Sequence, residues 1–250
     1  HPFNQKQRTR NFILRRWLKF IKYFNTLKLI KRINENDTII GINCWTQRLI
    51  PLIYIYVVSK CLRTNLFHER SEHPLRNYQD SFPGKIRGEL KSYIGTLFTD
   101  GIFCISQYLI DFYLHRGVRS GKLLLVPSTV DTERFKCIYS APLDFEYVLY
   151  CGTLTTLKDG VDILIESFAG ISDKFPDLNL VLIGKGESEK IEIMLKESVN
   201  RLNITNRVFF LGQISRNEVP AYMTNAKILA LARPSSMVAD AGFPSKLTEY

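Results

Sequence analysis

Three glycines stand where a short β-forming run gives way to a polar loop: Gly152 closes YVLYCG, Gly184 closes LNLVLIG and Gly212 closes RVFFLG. A glycine at a strand end lets a phosphate or sugar approach the backbone, and the helix that follows presents N–H groups to an anion. One such glycine says little, but three point to a ligand-binding sheet edge. Lys158 lies in the loop GTLTTLKDG behind the first of them, where a cation could face a diphosphate or stand as a solvated loop lysine. Further on, AGFPSKLTE sets Gly242 and Phe243 before Pro244, a natural first helical residue, so their N–H groups would open a helix. Glu249, about one turn inside, carries a carboxylate suited to the vicinal hydroxyls of a ribose, or to an ordinary surface position.

Other chemistries find little support. No DxD motif occurs, and of the four histidines only His68 and His73 lie close together, without companion cysteines, so no metal site is expected. The five cysteines form no CxxC pair and sit mostly in apolar or aromatic runs, which reads as reduced core thiols in a cytosolic protein. With 250 residues, 45% of them hydrophobic, the chain is neither disordered nor a disulfide-built miniprotein, and two domains of ordinary size are expected.

The elements that must carry these residues alternate. Strands are expected at Thr38–Asn43, Asn65–His68, Gly101–Ser106 and Lys122–Pro127, with helices at Gln47–Leu62, Lys85–Thr99 and Gln107–Arg116 between them. After Ser128–Glu146, which has neither period and reads as a linker, the alternation restarts. Strands are expected at Tyr147–Gly152, Leu178–Gly184, Arg207–Gly212 and Lys227–Arg233, and helices at Val161–Ile171, Glu187–Leu202, Glu218–Asn225 and from Pro244. Strand and helix in alternation with short loops make a parallel, doubly wound sheet. The expected fold is therefore α/β, with two tandem Rossmann-like domains, 1–143 and 144–250, and a ligand cleft between their sheets.

Charge divides the chain at the same place. Through Leu143 there are 23 basic and 10 acidic residues; from Asp144 onward there are 11 and 14. Ten of the cations fall in residues 1–32, which hold no acid, and Leu14, Trp17, Leu18, Ile21 and Phe24 recur there at helical spacing. This basic amphipathic helix reads either as a domain helix with its aromatic face in the core or as a helix resting on an anionic membrane surface. Nucleic acid is not an expected partner, since no recognition module accompanies the charge. The most apolar stretch, Leu49–Ser59, is well short of the roughly 20 residues of a membrane span. The sequence opens without methionine and ends at Tyr250 in what reads as the first turn of a helix, as a piece of a longer chain would.

The blocks VLYCGTLTTLKDGVDILIESF, LNLVLIGKGESE, RVFFLGQISRNEVPAYMTNA and AGFPSKLTEY, preceded by CISQYLIDFYLHRGVRSGKLLLVPSTVDTERF, resemble the family-four, or group 1, glycosyltransferases of the GT-B fold, most closely bacterial members that build surface polysaccharides. The resemblance runs from about Asp37 to the end. It implies donor binding by Gly152, Thr153, Lys158, Gly184, Gly186, Leu211 and Gly212, with Gly242, Phe243 and Pro244 along the diphosphate and hexose and Glu249 on the ribose. Lys158 takes the place of the family's basic residue for the diphosphate. Thr153 stands where its partner arginine is usual, so neutralisation must come partly from elsewhere. Ala241 replaces the family's first glutamate, with Asp240 beside it as a substitute, which leaves the donor sugar open. His68, beside Glu69 and Arg70, falls where the family commonly has a histidine near the reacting centre; the other reading is a strand-end histidine bonded to backbone.

The implied protein is a retaining hexosyltransferase with no cofactor and no metal. It would move a sugar from a nucleotide diphosphosugar to a glycan or lipid-linked acceptor, in the cytoplasm or on the inner face of the membrane, and would lack the family's opening strand and loop before His1. The rivals are a nucleotide-sugar epimerase of the same fold and a non-catalytic membrane adaptor.

Overall fold

The computed structural model describes residues 25–26, 28–33, 39–46, 48–75, 82–137 and 139–250, so most of the basic helix expected over residues 1–32 lies outside the described residues. Two compact units emerge. One comprises the described residues up to 69 with 82–103 and 118–124, the other residues 70–75, 104–117 and 125–250.

The first sheet has the order β1 (Gly41–Cys44), β2 (Asn65–Arg70), β3 (Gly101–Cys104), β4 (Leu123–Leu125). Helices α1 (Leu49–Cys61), α2 (Phe82–Leu97) and α3 (Gln107–Leu114) connect successive strands, and β1 pairs with β2 in parallel. Cys44, Leu52 and Leu66 make a small core with Ile42, Ile55, Tyr56 and Phe98. The chain is carried into β3 by Asp100, whose carboxylate accepts from Lys60 Nζ at 2.7 Å and from the Leu66 N–H at 2.8 Å. Burial pushes this carboxyl upward, but the Leu66 N–H and the Lys60 ammonium outweigh it and hold its pKa below the ordinary value. The stabilisation is therefore complete above about pH 4 and is lost as pH falls through the lowered value. Asp100→Asn should cost about 1–2 kcal/mol at pH 7. In urea melts across pH the gap to the parent should close below about pH 4; a gap unchanged at pH 3 would disprove the pairing.

The second sheet is wholly parallel, in the order β7-β6-β5-β8, with β5 Glu146–Cys151, β6 Leu178–Ile183, β7 Val208–Gly212 and β8 Ile228–Leu229. The apolar run of β5 does not alternate with polar residues because both faces are covered. Val148 and Tyr150 join Leu180 and Leu182 against α4 (Val161–Ser172) and α5 (Glu189–Arg201), through Ile165, Phe168, Leu195 and Val199. Tyr147, Leu149 and Cys151 join Val181 and Ile183 on the other face, against Val219 and Met223 of α6 (Val219–Thr224). Each fully buried Leu or Val contributes on the order of 2 kcal/mol, so the central strands dominate the stability of this unit.

Four expectations need correction. The strand expected over Lys227–Arg233 is only Ile228–Leu229, because its ladder bonds to β5 end at Ala230 N–H to Leu149 O. A helix, α7 (Met237–Ala241), forms where a loop was expected; the Ser236 hydroxyl caps it, accepting from Ala239 N–H at 3.1 Å. The last helix, α8, is Ser245–Glu249, and Pro244 precedes it as the cap residue instead of opening it. All five cysteines are free, but Cys61 and Cys137 are exposed, so only Cys44, Cys104 and Cys151 are core thiols. No described helix is long and apolar enough to cross a membrane.

Candidate donor-binding site

In the second sheet the chain runs from β5 to β6 and β7 on one side, then returns to place β8 on the other. Connections leaving β5 and β8 in opposite directions open a crevice at their carboxyl ends, the usual ligand position in an open α/β sheet. Two adjoining cavities lie along that edge. One, of about 390 Å³, is lined by Tyr150–Thr153, Thr155, Lys158, Asp159, Leu231 and Phe243–Lys246 among others. The second, of about 490 Å³, is lined by Ile183–Glu187, Gln213, Ile214 and Val219. Both share Cys151, Gly152, Thr153, Glu187 and Lys246.

The three strand-end glycines stand side by side here, but their chemistry differs from the expectation. Gly152 N–H donates to Ile183 O at 2.9 Å and Gly184 N–H to Gly212 O at 2.7 Å, so these groups are spent on the sheet. A Cβ on Gly184, whose φ is +136°, would lie 1.8 Å from the Gly152 carbonyl oxygen. The missing side chain makes room for the neighbouring strand, not for a ligand. Gly212, with φ +67°, has open space around it.

The loop carrying Lys158 is tightly built. Leu154 N–H donates to Lys185 O and Glu187 N–H to Leu154 O, while Leu154 is buried in the core between them. Thr155 Oγ1 accepts from the Asp159 N–H at 3.0 Å. At Gly160, with φ +63°, a Cβ would stand 2.0 Å from the Ala232 carbonyl oxygen, so only glycine lets the loop turn into α4 here. Tyr150 donates its hydroxyl to Thr153 O at 2.8 Å; burial and then the Asp159 carboxylate push this phenol well above its ordinary pKa. The result fixes Lys158 on the cavity wall, its Nζ 3.9 Å from Glu72. Such a half-exposed pair leaves the ammonium largely available to a stronger anion.

Of the expected site residues, Gly152, Thr153, Lys158, Phe243 and Pro244 line the first cavity, and Gly184 and Gly186 the second. Leu211, Gly212, Gly242 and Glu249 line neither, although Gln213 and Ile214 follow directly after the first two. Glu249 accepts from Lys246 Nζ at 2.7 Å and faces Arg134 Nη1 at 3.9 Å. His68, in the other unit, is buried, with Nε2 2.8 Å from Thr46 O. A carbonyl only accepts, so Nε2 carries the proton and acts as a strut to the loop. Sequence reasoning missed Lys185, Asp159, Glu187 and Lys246. Lys246 stands three residues before Glu249 on one helix face. No group of three His, Cys, Asp or Glu side chains able to hold a metal comes together among the described residues.

Residues 131–250 match the family model described as glycosyl transferases group 1. Over 223 residues the chain is 24% identical to an uncharacterized glycosyltransferase of Methanocaldococcus jannaschii, covering 84% of this chain and 53% of that protein. HepE of Anabaena, solved with UDP, superposes with a TM-score of 0.61 at 18% identity, over 83% of this chain and 56% of the other. The lipopolysaccharide outer core galactosyltransferase WaaB gives 0.55 at 18% identity, over 86% and 56%. The chain thus spans about half the length of the relatives it matches. Over residues 131–250 its sequence matches the group 1 glycosyl transferases, and its parallel α/β fold is similar to that of a solved galactosyltransferase.

Proposed function

We propose that the protein transfers a hexosyl group, with retention, from a nucleotide diphosphosugar held along the carboxyl edge of β5 and β6 to a hydroxyl of a glycan or lipid-linked acceptor. The observation that carries this reading is the pair of cavities meeting over Gly152 and Thr153, with Lys158, Lys185 and Lys246 on their walls. A nucleotide sugar has that shape: two bulky ends joined by two phosphates. Its C1–O bond to the diphosphate breaks as the acceptor oxygen bonds to C1, and the hydroxyl proton passes to a leaving phosphate oxygen. Lysines fixed around that phosphate stabilise the charge as it develops. HepE binding UDP supports a uridine nucleotide as the first donor to try.

The test is to incubate the chain with UDP-hexoses and a panel of glycan and lipid-linked acceptors, following donor and product by NMR. Acceptor-dependent release of UDP, with the product keeping the donor's anomeric configuration, is expected. Epimerised donor in the absence of acceptor would instead establish the epimerase. An inverted product would overturn retention.

A further inference from the structure

We propose that Lys246 is the bridging cation of the donor site, the side chain that holds the diphosphate where the nucleoside and sugar halves of the ligand meet. This rests on the reading of the cleft as a nucleotide-sugar site and names the group that organises it.

A diphosphate can be held by N–H groups or by cationic side chains. Along this edge the N–H groups of Gly152, Leu154, Gly184 and Glu187 all donate to carbonyl oxygens of the protein, and that of Gly186 leans on the Glu192 carboxylate at 3.4 Å. With these N–H groups engaged, the lysines on the walls are the cations placed to meet the charge. Lys158 lines only the first cavity and Lys185 only the second, whereas Lys246 lines both. Where two cavities meet is where the linker of a two-ended ligand must lie.

Glu249 fixes this lysine. Its carboxylate accepts from Lys246 Nζ at 2.7 Å, one helical turn away, and is itself approached by Arg134 at 3.9 Å. With side chains only 32% and 18% exposed, the pair is held in place without being sealed from the cleft. The arrangement pre-positions the ammonium, while the second cation near Glu249 reduces the carboxylate's repulsion of an incoming phosphate. The walls assign the two ends. Ile214 offers the second cavity's apolar surface to a base, while Asp159 and Ser245 line the first cavity with polar groups suited to a sugar.

The test is calorimetric titration of UDP, UMP and uridine into the parent chain and into Lys246→Gln, Lys246→Arg and Lys246→Gln/Glu249→Gln. Lys246→Gln should weaken UDP about tenfold, UMP less, and uridine not at all, while Lys246→Arg keeps most of the affinity. The double variant should remain as weak as the single one. Full recovery in the double variant would show that the loss came only from exposing Glu249, and would overturn the proposal. Equal affinity of Lys246→Gln and parent for UDP would overturn it as well, with the donor site itself intact. A parent chain that binds no nucleoside diphosphate would fail the underlying reading instead. Thermal melts of each variant, expected within a few degrees of the parent, separate lost contact from lost fold.

Discussion

Gly184→Ala should lower the stability of the second unit by about 3 kcal/mol or more and abolish nucleotide binding, the sum of a strained residue and an overpacked contact. Its new methyl would fall 1.8 Å from the Gly152 carbonyl oxygen, inside any tolerable contact, at a φ of +136° that L residues rarely adopt. Relief requires β5 and β6 to separate where both cavities share their floor. Gly212→Ala is the control: its φ of +67° is unfavourable but its surroundings are open, so about 1 kcal/mol is expected. Urea unfolding of the two variants reads the difference directly. Equal stabilities would mean that the close approach of Gly184 and Gly152 does not exist in solution.

Lys158→Ala should weaken nucleoside diphosphate binding by about 1–3 kcal/mol, the scale of a charge-assisted contact to phosphate. The side chain stands on a loop braced by Leu154, Thr155 and Gly160, so the substitution removes a charge and leaves the wall in place. Its pairing with Glu72 at 3.9 Å is too long and too exposed to compete with a diphosphate. Lys158→Arg should be partly tolerated, because Thr153 on the same wall is small. Calorimetry showing unchanged affinity in Lys158→Ala would remove this lysine from the diphosphate.

These two residues show how much was readable in the sequence. The strands β5, β6 and β7 announced themselves as apolar runs ending in glycine, and each begins and ends within a residue or so of its expected place. Such runs are legible because a strand buried on both faces needs an apolar side chain at every position. The glycines were legible as necessary but not as to why. Only the register of β5 against β6 reveals that Gly184 yields space to Gly152. The short elements were harder. β8 is two residues held at one edge, and α7 exists because Ser236 caps it, a local bond that composition does not announce. Lys246 escaped notice for a different reason. Its place on the shared wall depends on α8 packing near Cys151, about a hundred residues earlier, where the Cys151 N–H donates to the Tyr250 hydroxyl at 2.9 Å. Glu249 was expected to face a ribose; in the folded chain its nearest partners are Lys246 and Arg134.

On the function proposed above, the carboxyl edge of the second sheet holds a nucleoside diphosphate through lysine side chains. The most direct measurement is calorimetric titration of UDP, GDP and ADP into the chain at low and high salt, with the matching uncharged nucleosides alongside. The claim predicts that at least one diphosphate binds with a stoichiometry of one, that its affinity falls as salt rises, and that its nucleoside binds far more weakly. Failure of all three diphosphates to bind at millimolar concentration, or a nucleoside binding as tightly as its diphosphate, would contradict it.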